Sequence, residues 1–389
     1  MKIGTINFHF AHNFGAVLES IALKEFLEKR GHQVVSIDYR PEYLEQQYAV
    51  YPNPVAFARW AAKDYADSST VYRFYRMFRR FIQAFTYYKD ADLRKKREKL
   101  FENYIKSNMN LTKRYRTIED LKKDPPSCDM YISGSDQIWN PMVTAGIDEG
   151  YFLNFGDTST RKVAYAVSPC QLNVKKYKGK LKSLLMAYEK ISLREEQFIC
   201  ELSQMYKYPI ENCVDPTLLL DEPDYLKYMV KPEVCVDNYI LVYGFDDKLS
   251  PKLLNDIVTI VSNETGYKVI DVSMDGRKRI DSAINLEAVS PGEFLHYVKN
   301  ACYVVTNSFH GTVFSIIYNK RFISVSKSGT SSRAGELLAS LGLNDRLATT
   351  CNEKSIMRLI HNDIDYLEVY KRLIDLRKKS EMFLDGINI

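Results

Sequence analysis

The start of the chain constrains the fold most, because two short apolar segments flank one segment with a helical pattern. Residues 2–7 and 34–38 are short apolar runs typical of strands, while residues 14–30 carry apolar side chains close to the helical period. Gly31 follows as a residue that typically ends a helix. Strand, helix and strand in this order predict a parallel βαβ unit, which binds ligands at the carboxyl ends of its strands.

The same alternation continues along the chain and restarts once. Further strands are predicted at 130–133, 162–167, 191–193 and 212–214, and a second series at 239–243, 268–272, 303–306 and 322–326. The charged, proline-containing stretch 221–232 between the two series is typical of a linker. We therefore expect an α/β fold with two Rossmann-like domains facing each other across a cleft, where such folds bind ligands.

The expected domains are residues 1–225, with a basic helical insertion at about 42–120, and residues 233–345. The tail, 353–389, carries a long amphipathic helical pattern over 353–383. Ser290-Pro291-Gly292-Glu293 has the residues of a capping box and predicts the start of a helix in the second domain.

Composition narrows the class of protein. The chain is 46% hydrophobic and 26% charged, as in soluble globular proteins. Its seven cysteines are odd in number and form no C-x-x-C, which favours reduced thiols and a cytoplasmic location. No apolar run near the start resembles a signal peptide, since Asn7, His9 and His12 interrupt it.

Several catalytic motifs are missing from the sequence. It has no G-x-G-x-x-G, no P-loop motif and no H-E-x-x-H. The triplets Asp90-Ala91-Asp92 and Asp363-Ile364-Asp365 lie in charged, helical surroundings and do not indicate a metal site. We expect neither a nucleotide redox cofactor nor a metal.

Two polar turns follow strands of the first domain. Residues 8–15 contain Asn13 and Gly15, and a glycine at a strand-to-helix turn lets helix N–H groups approach an anion or a sugar hydroxyl. The alternative is a cap and a tight turn. The second turn offers hydrogen-bonding groups for vicinal hydroxyls and a Trp face for a sugar ring, or is a turn with a packed Trp; its residues are Ser135, Asp136, Gln137, Trp139 and Asn140.

Arginine and histidine side chains mark three further strand ends. Arg194 can hold a carboxylate or phosphate through a bidentate fork, or can pair with a neighbouring Glu. Asp215 is most simply a turn or cap residue. In the second domain, His310 begins a helix and can transfer protons near neutral pH. Its neighbours Ser308, Gly311 and Thr312, and the polar loop 328–333 ending in Arg333, are suited to an anion.

Residues 71–116 hold 14 Lys or Arg against four acidic residues. Within them Phe74, Phe78, Phe81 and Phe85 form one helical stripe, with arginines at 73, 76, 79 and 80. A basic amphipathic helix over 71–97 can lie on an anionic membrane. The alternative is a helix packed on the first domain with a solvated basic face. No nucleic-acid motif accompanies the charge, and nucleic acid is not an expected partner.

Taken in order, these motifs resemble the polysaccharide pyruvyl transferase family. The residues that carry the resemblance are Ile3-Gly4-Thr5, His12 to Ala16, Ile37 to Pro41, Gly134 to Asn140, Ser192 to Glu196, Asp215 to Thr217, Ser308 to Thr312 and Arg333. They cover most of residues 1–345.

The resemblance implies a glycosyltransferase B-like fold and transfer of pyruvate from phosphoenolpyruvate onto a sugar as a cyclic ketal. The acceptor would be a bacterial-type surface polysaccharide or its lipid-linked precursor, with no cofactor beyond the co-substrate. Some family members carry an Arg two residues before the catalytic His, where this chain has Ser308. Arg333 is then the expected substitute cation.

The resulting assignments place catalysis on His310, as general acid, and on Asp136, as acceptor binder or base. Donor-binding residues are expected to be Arg194, Arg333, Ser308, Gly311 and Thr312, and the second domain is expected to form the donor side. Acceptor-binding residues are expected to be Asn13, Gly15, Ser135, Gln137, Trp139 and Asn140. Two alternatives stay open, a nucleotide-sugar-dependent glycosyltransferase of the same fold and a non-catalytic carbohydrate-binding protein. The expected location is cytoplasmic, with peripheral contact to the inner face of the membrane.

Overall fold

The computed structural model describes residues 1–58, 69–244, 251–273, 280, 283–326 and 332–388. The chain forms two compact units. The first unit contains Met1–His12, Ala16–Leu219 and Lys378–Ile389, and the second contains Asn13–Gly15 and Leu220–Arg377. The short segment Asn13–Gly15 is therefore grouped with the second unit, although it lies near the start of the chain.

In the described part of the first unit, seven strands form one parallel sheet in the order β3-β2-β1-β4-β5-β6-β7. The strands are β1 Lys2–Ile6, β2 Gln33–Tyr39, β3 Leu111–Tyr115, β4 Met130–Ser133, β5 Arg161–Val167, β6 Lys190–Leu193 and β7 Ile210–Asn212. Central strands such as β4 are buried throughout, since helices cover both faces of a parallel sheet. The strand β3 was not predicted, because its sequence LTKRY is charged and lies at the sheet edge.

Helices connect the strands of the first unit. Their bounds are Phe14–Lys29, Glu42–Tyr48, Thr70–Lys89, Ala91–Asn108, Ile118–Lys123, Val174–Leu185 and Ile199–Ser203. Ile6, Ile37 and Ile191 belong to the apolar core under these helices, and each is fully buried. The opening strand, helix and strand agree with the βαβ unit that the sequence predicts.

In the described part of the second unit, six strands form a parallel sheet in the order β10-β9-β8-β11-β12-β13. They are β8 Tyr239–Gly244, β9 Lys268–Ser273, β10 Ile284–Leu286, β11 Tyr303–Thr306, β12 Arg321–Val325 and β13 Leu347–Ala348. The helices are Glu222–Leu226, Pro251–Thr265, Pro291–Asn300, Phe309–Ile317, Arg333–Ser340, Glu353–His361 and Tyr366–Asp385. The two edge strands were not predicted, because two or three residues are too short to show a period.

The capping box at Ser290 is present as predicted: Ser290 Oγ accepts a hydrogen bond from the Glu293 amide, and the Glu293 carboxylate accepts one from the Ser290 amide. The tail is helical, and it consists of two separate helices, Glu353–His361 and Tyr366–Asp385. The chain passes back to the first unit at Lys378. The predicted linker 221–232 belongs to the second unit, which begins at Leu220, and it contains the helix Glu222–Leu226, whose start is capped by Asp221 and Asp224.

The helix Thr70–Lys89 carries the predicted aromatic stripe on its solvent side. Phe74, Phe78 and Phe85 are 67%, 64% and 51% exposed. The opposite side meets the protein, where the guanidinium of Arg80 lies 5.3 Å from the ring centroid of Phe57. The helix therefore contacts the first unit, as the packed alternative expects, while its aromatic stripe faces solvent.

In the described ranges, no helix combines the length and apolar character needed to cross a membrane.

Candidate active site

His310 lies where a buried strand of the second unit turns into a helix. The strand β11 ends at Thr306, and the helix Phe309–Ile317 begins three residues later. Ser308 caps this helix by accepting a hydrogen bond from the Gly311 amide at 3.3 Å, which fixes the orientation of the first turn. His310 is 6% exposed, so its imidazole is held among protein atoms.

The imidazole of His310 packs directly against the backbone of Gly15, which belongs to the same compact unit. A Cβ atom at Gly15 would lie 2.0 Å from His310 Nδ1, far inside van der Waals contact. Neighbouring contacts hold the segment, since Phe14 stacks on Phe294 at 4.6 Å and Asn13 Oδ1 accepts a hydrogen bond from the Gly15 amide. Gly15 is therefore required by the close approach of the imidazole, and the structure brings Asn13 and Gly15 to the candidate catalytic histidine.

Arg333, the expected donor cation, lies beside Phe309, the residue that precedes the candidate catalytic histidine. It is the first residue of the helix Arg333–Ser340, and its guanidinium lies 5.7 Å from the ring centroid of Phe309. The Phe309 and His310 rings are in turn 5.1 Å apart, centroid to centroid. Residues 328–331 of the predicted polar loop lie outside the described residues.

Ser308, Gly311 and Thr312 build the turn, and their expected role in donor binding stays a prediction for the backbone at the start of this helix. The Ser308 hydroxyl is engaged by the Gly311 amide. Thr312 is fully buried, and its hydroxyl donates to the Ser308 carbonyl at 3.1 Å and also contacts the Ser324 hydroxyl. At Gly311, a Cβ would lie 2.2 Å from Thr306 Oγ1, so only glycine fits. These residues position His310 and offer no open hydroxyl to a ligand.

Arg194, in the first unit, is surrounded by carboxylates. Its Nη1 donates to Asp215 at 2.6 Å, while Asp136 and Glu195 oxygens lie at 3.7 and 3.8 Å from its Nη2 and Nε. Burial alone would lower the pKa of Arg194, but Glu195, Asp215 and Asp136 raise it above its ordinary value. Three carboxylates around one guanidinium leave no net positive charge for an anionic donor. Arg194 is therefore an ion-pair centre in this structure, and its expected role in donor binding stays a prediction.

Ser135 and Glu19 complete this cluster. The Ser135 hydroxyl donates to the Ala166 carbonyl at 2.8 Å and lies 3.1 Å from Asp215 Oδ2. Because these contacts occupy the hydroxyl, it is not available to the acceptor sugar that it was expected to bind. The Ser135 amide donates to Glu19 Oε1 at 2.9 Å. Burial, followed by the charges of Asp215 and Asp136, raises the pKa of Glu19 well above its ordinary value. Glu19 is thus a buried acid of raised pKa that sequence reasoning missed, because no motif distinguishes it within a helix.

Trp139 and Asn140 also need correction as acceptor-binding residues. Trp139 is fully buried, stacks on Phe152 with centroids 4.4 Å apart, and donates through Nε1 to the Tyr151 carbonyl. It has no exposed face for a sugar ring. The side-chain amide of Asn140 donates to Gln137 Oε1 at 2.6 Å, which stabilises the turn itself.

Asp136 has the least ordinary backbone in this turn. Its φ of +61° is in the left-handed region, which Asp tolerates better than most residues. Its side chain is 13% exposed. Asp136 therefore keeps a partly accessible carboxylate at the carboxyl end of β4, where ligands of parallel sheets bind.

Within the described residues, no group of three or more His, Cys, Asp or Glu is arranged to hold a metal ion.

The fold defines the class of this protein as an α/β protein with two Rossmann-like units. UDP-N-acetylglucosamine 2-epimerase from Neisseria meningitidis has a similar structure, with a TM-score of 0.51 at 9% identity over 100% of this chain and 99% of that one. The epimerase from Methanocaldococcus jannaschii gives 0.48 at 13% identity, covering 92% of each chain. The calicheamicin glycosyltransferase CalG4 gives 0.42 at 11% identity, covering 100% of this chain and 97% of the other. The predicted fold class is confirmed.

A sequence model of the polysaccharide pyruvyl transferases matches residues 13–328, so the chain belongs to that family. The match includes Asn13, Gly15 and His310. A comparison with curated proteins finds no match.

Proposed function

We propose that this protein transfers pyruvate from phosphoenolpyruvate onto a sugar of a bacterial-type surface polysaccharide, or of its lipid-linked precursor, as a cyclic ketal. The observation that carries the proposal is the close packing of the His310 imidazole against the Gly15 backbone. Both residues lie within the segment that matches the pyruvyl transferase family. A histidine fixed this closely can deliver a proton to one defined position.

Arg333 and the start of the helix Phe309–Ile317 would receive the donor. Phosphoenolpyruvate carries a carboxylate and a phosphate, and both a guanidinium and a helix N-terminus favour anions. Arg333 lies beside Phe309, the neighbour of His310, which supports its assignment as the donor cation. No atom of the Arg194 cluster is used in this step.

The chemistry proceeds without oxidation or reduction. His310 gives a proton to the methylene carbon of phosphoenolpyruvate, which leaves positive charge on the central carbon. A sugar hydroxyl oxygen bonds to that carbon and loses its proton to a base. A second hydroxyl oxygen then bonds to the same carbon and displaces phosphate, which departs with the electron pair of the broken C–O bond and takes up the proton of that hydroxyl. We assign Asp136 to the acceptor hydroxyls as binder or base, on the strength of its partly exposed carboxylate.

Thermal unfolding with phosphoenolpyruvate, UDP or GDP tests the donor. A ligand at about 100 times its dissociation constant adds roughly 2.7 kcal/mol to the free energy of unfolding. We expect stabilisation by phosphoenolpyruvate in the wild type, its loss in Arg333→Ala, and its retention in Arg321→Ala, a control whose side chain is exposed.

Two other outcomes would point to the alternatives. Stabilisation by UDP or GDP in place of phosphoenolpyruvate would contradict pyruvyl transfer and favour a nucleotide-sugar-dependent glycosyltransferase. A His310→Ala variant with undiminished biological activity would favour a non-catalytic carbohydrate-binding protein. Release of phosphate from phosphoenolpyruvate, dependent on both a saccharide and His310, would support the transferase.

A lipid-linked acceptor would bring the protein to the inner face of the membrane, and we propose that the basic region 71–97 makes that contact. The helix Thr70–Lys89 turns Phe74, Phe78 and Phe85 to solvent, and such a face can enter the headgroup region of a bilayer. The surrounding segment is strongly positive, with 14 Lys or Arg against four acidic residues over 71–116, which complements anionic lipids.

Sedimentation with phosphatidylglycerol vesicles tests this contact. We expect Phe78→Asp to reduce binding and Leu367→Asp, an even more exposed apolar position on another helix, to leave it unchanged. Equal binding of all three proteins, or binding as strong to phosphatidylcholine vesicles as to phosphatidylglycerol vesicles, would count against it.

A further inference from the structure

A polar cavity of about 450 Å³ lies in the first unit, at one edge of its sheet. It forms where β1, β2 and β3 end, and the helices Glu42–Tyr48 and Ala91–Asn108 contribute to its walls. We call this cavity the strand-edge pocket. The charged residues of its lining are Arg40, Arg114, Arg116, Glu45, Glu98 and Glu102. Every residue of the lining belongs to the first unit.

The charges of the strand-edge pocket balance. Three guanidiniums face three carboxylates, and several are already paired: Arg40 with Glu102, and both Arg114 and Arg116 with Glu45. His12 also lines the pocket, and burial, together with nearby arginines, lowers its pKa to about 4. A neutral His12 adds no charge near neutral pH. Neither a small anion nor a small cation is favoured by such a lining.

Arg40 is a buried donor at the base of the pocket. It is 3% exposed, its Nε donates to Asp38, and its Nη1 donates to Glu102. Asp38 is itself held by His9 Nε2 at 3.0 Å and by Arg114 Nε at 3.3 Å. The remaining nitrogen, Arg40 Nη2, is buried and has no hydrogen-bond partner within the described ranges. The guanidinium of Arg40 is fixed beside the pocket by its ion pairs with Asp38 and Glu102.

We infer that the strand-edge pocket binds a neutral sugar residue of the acceptor. A sugar hydroxyl both donates and accepts, so it can bridge a carboxylate and a guanidinium of the alternating lining. Partly buried Tyr48 and buried Phe10 also line the pocket and add aromatic carbon for the carbon face of a sugar. A volume of about 450 Å³ lies within the usual range of small-molecule sites. The inference rests on the proposed function for its substrate class.

The sequence does not predict the pocket, because its lining residues are far apart along the chain. Arg40 is in a motif of the resemblance, but its partner Glu102 comes from a helix 62 residues later, and Arg114 and Arg116 flank the end of an unpredicted edge strand. Only the parallel pairing of β1, β2 and β3 brings these carboxyl ends to one edge.

Direct binding tests the pocket without phosphoenolpyruvate. The probes are methyl glycosides of glucose, galactose, mannose and N-acetylglucosamine, measured by saturation-transfer NMR and calorimetry on the full chain. We expect at least one glycoside to bind the wild type. Loss of one charge-assisted hydrogen bond in Glu98→Gln should weaken it about 10-fold to 100-fold. Ala49→Trp, which fills the pocket from its lining, should abolish binding.

Two controls make the outcome specific. Glu353→Gln removes an exposed carboxylate elsewhere, and His310→Ala removes the candidate catalytic group; both should bind the glycoside as the wild type does. Circular dichroism checks that each variant is folded. No binding of any glycoside, or binding that persists in Ala49→Trp, would overturn the inference. Failure of the donor experiment would instead overturn the proposed reaction and leave the glycoside result standing.

Discussion

Replacing Gly15 by alanine tests the seating of the candidate catalytic histidine. An added Cβ would lie 2.0 Å from Nδ1 and 2.3 Å from Cγ of His310. To restore an ordinary contact of 3.4 Å, the imidazole must withdraw by about 1.4 Å. The φ of Gly15 is not in the left-handed region, so the effect of the substitution is steric.

The displacement sets the expected size of the effect. A misplacement of about 1 Å can reduce a rate by about 100-fold, so Gly15→Ala should lower kcat by at least that factor, or about 2.7 kcal/mol. Overpacking typically costs about 1–3 kcal/mol of unfolding free energy. The assay is phosphate release from phosphoenolpyruvate with a saccharide acceptor, combined with urea unfolding and the NMR signal of the His310 ring.

Gly179→Ala is the matched control. It lies in the helix Val174–Leu185 with no atom near its added Cβ, and alanine favours a helix by about 0.5–1 kcal/mol. This variant should keep full activity and be slightly more stable. The reasoning would be refuted by a folded Gly15→Ala protein with wild-type kcat, since the imidazole would then not depend on the glycine.

Three further predictions follow from burial. Arg194→Ala leaves buried carboxylates without their cation and should cost about 3–5 kcal/mol in urea unfolding, yet any surviving folded protein should still be stabilised by phosphoenolpyruvate; loss of that stabilisation would restore Arg194 as a donor residue. Trp139→Ala should lower stability by about 3–5 kcal/mol without a specific loss of glycoside affinity, and an unchanged Tm would contradict its place in the core. The pKa of His12 falls from 6.5 to about 4 on folding, so the unfolded chain binds a proton more readily than the folded one. The free energy of unfolding therefore has its full value with respect to His12 above pH 6.5 and decreases as the pH falls towards about 4. His12→Asn should remove about 3 kcal/mol of this pH dependence in unfolding measured at about pH 7 and about pH 4, and identical pH profiles would exclude a buried neutral His12.

Local signals in the sequence determined the class of fold and several elements. The strands at Met130–Ser133 and Tyr303–Thr306 agree with their predicted limits, because a short apolar run bounded by polar residues is a signal among near neighbours. The helix start at Ser290 follows from a cap within four residues. The placement of His310 in a helix's first turn was also local, since it depends only on the adjacent strand end.

The roles of the site residues depended on contacts that are distant in sequence. Gly15 and His310 meet across 295 positions, and Arg194 pairs with Asp215 and Asp136, which lie on other turns. A polar motif could not show that its Trp139 points into the core, because burial is decided by what packs on the turn from outside it.

The sequence by itself therefore determined the alternation of strands and helices, the family resemblance and the chemical types available for catalysis. Tertiary structure decided which charges were already neutralised, as at Arg194, and which glycine a histidine required, as at Gly15. The physical reason is range: helical and strand periods and caps act over a few residues, whereas burial and ion pairing arise where parallel strands bring distant segments to one edge of a sheet.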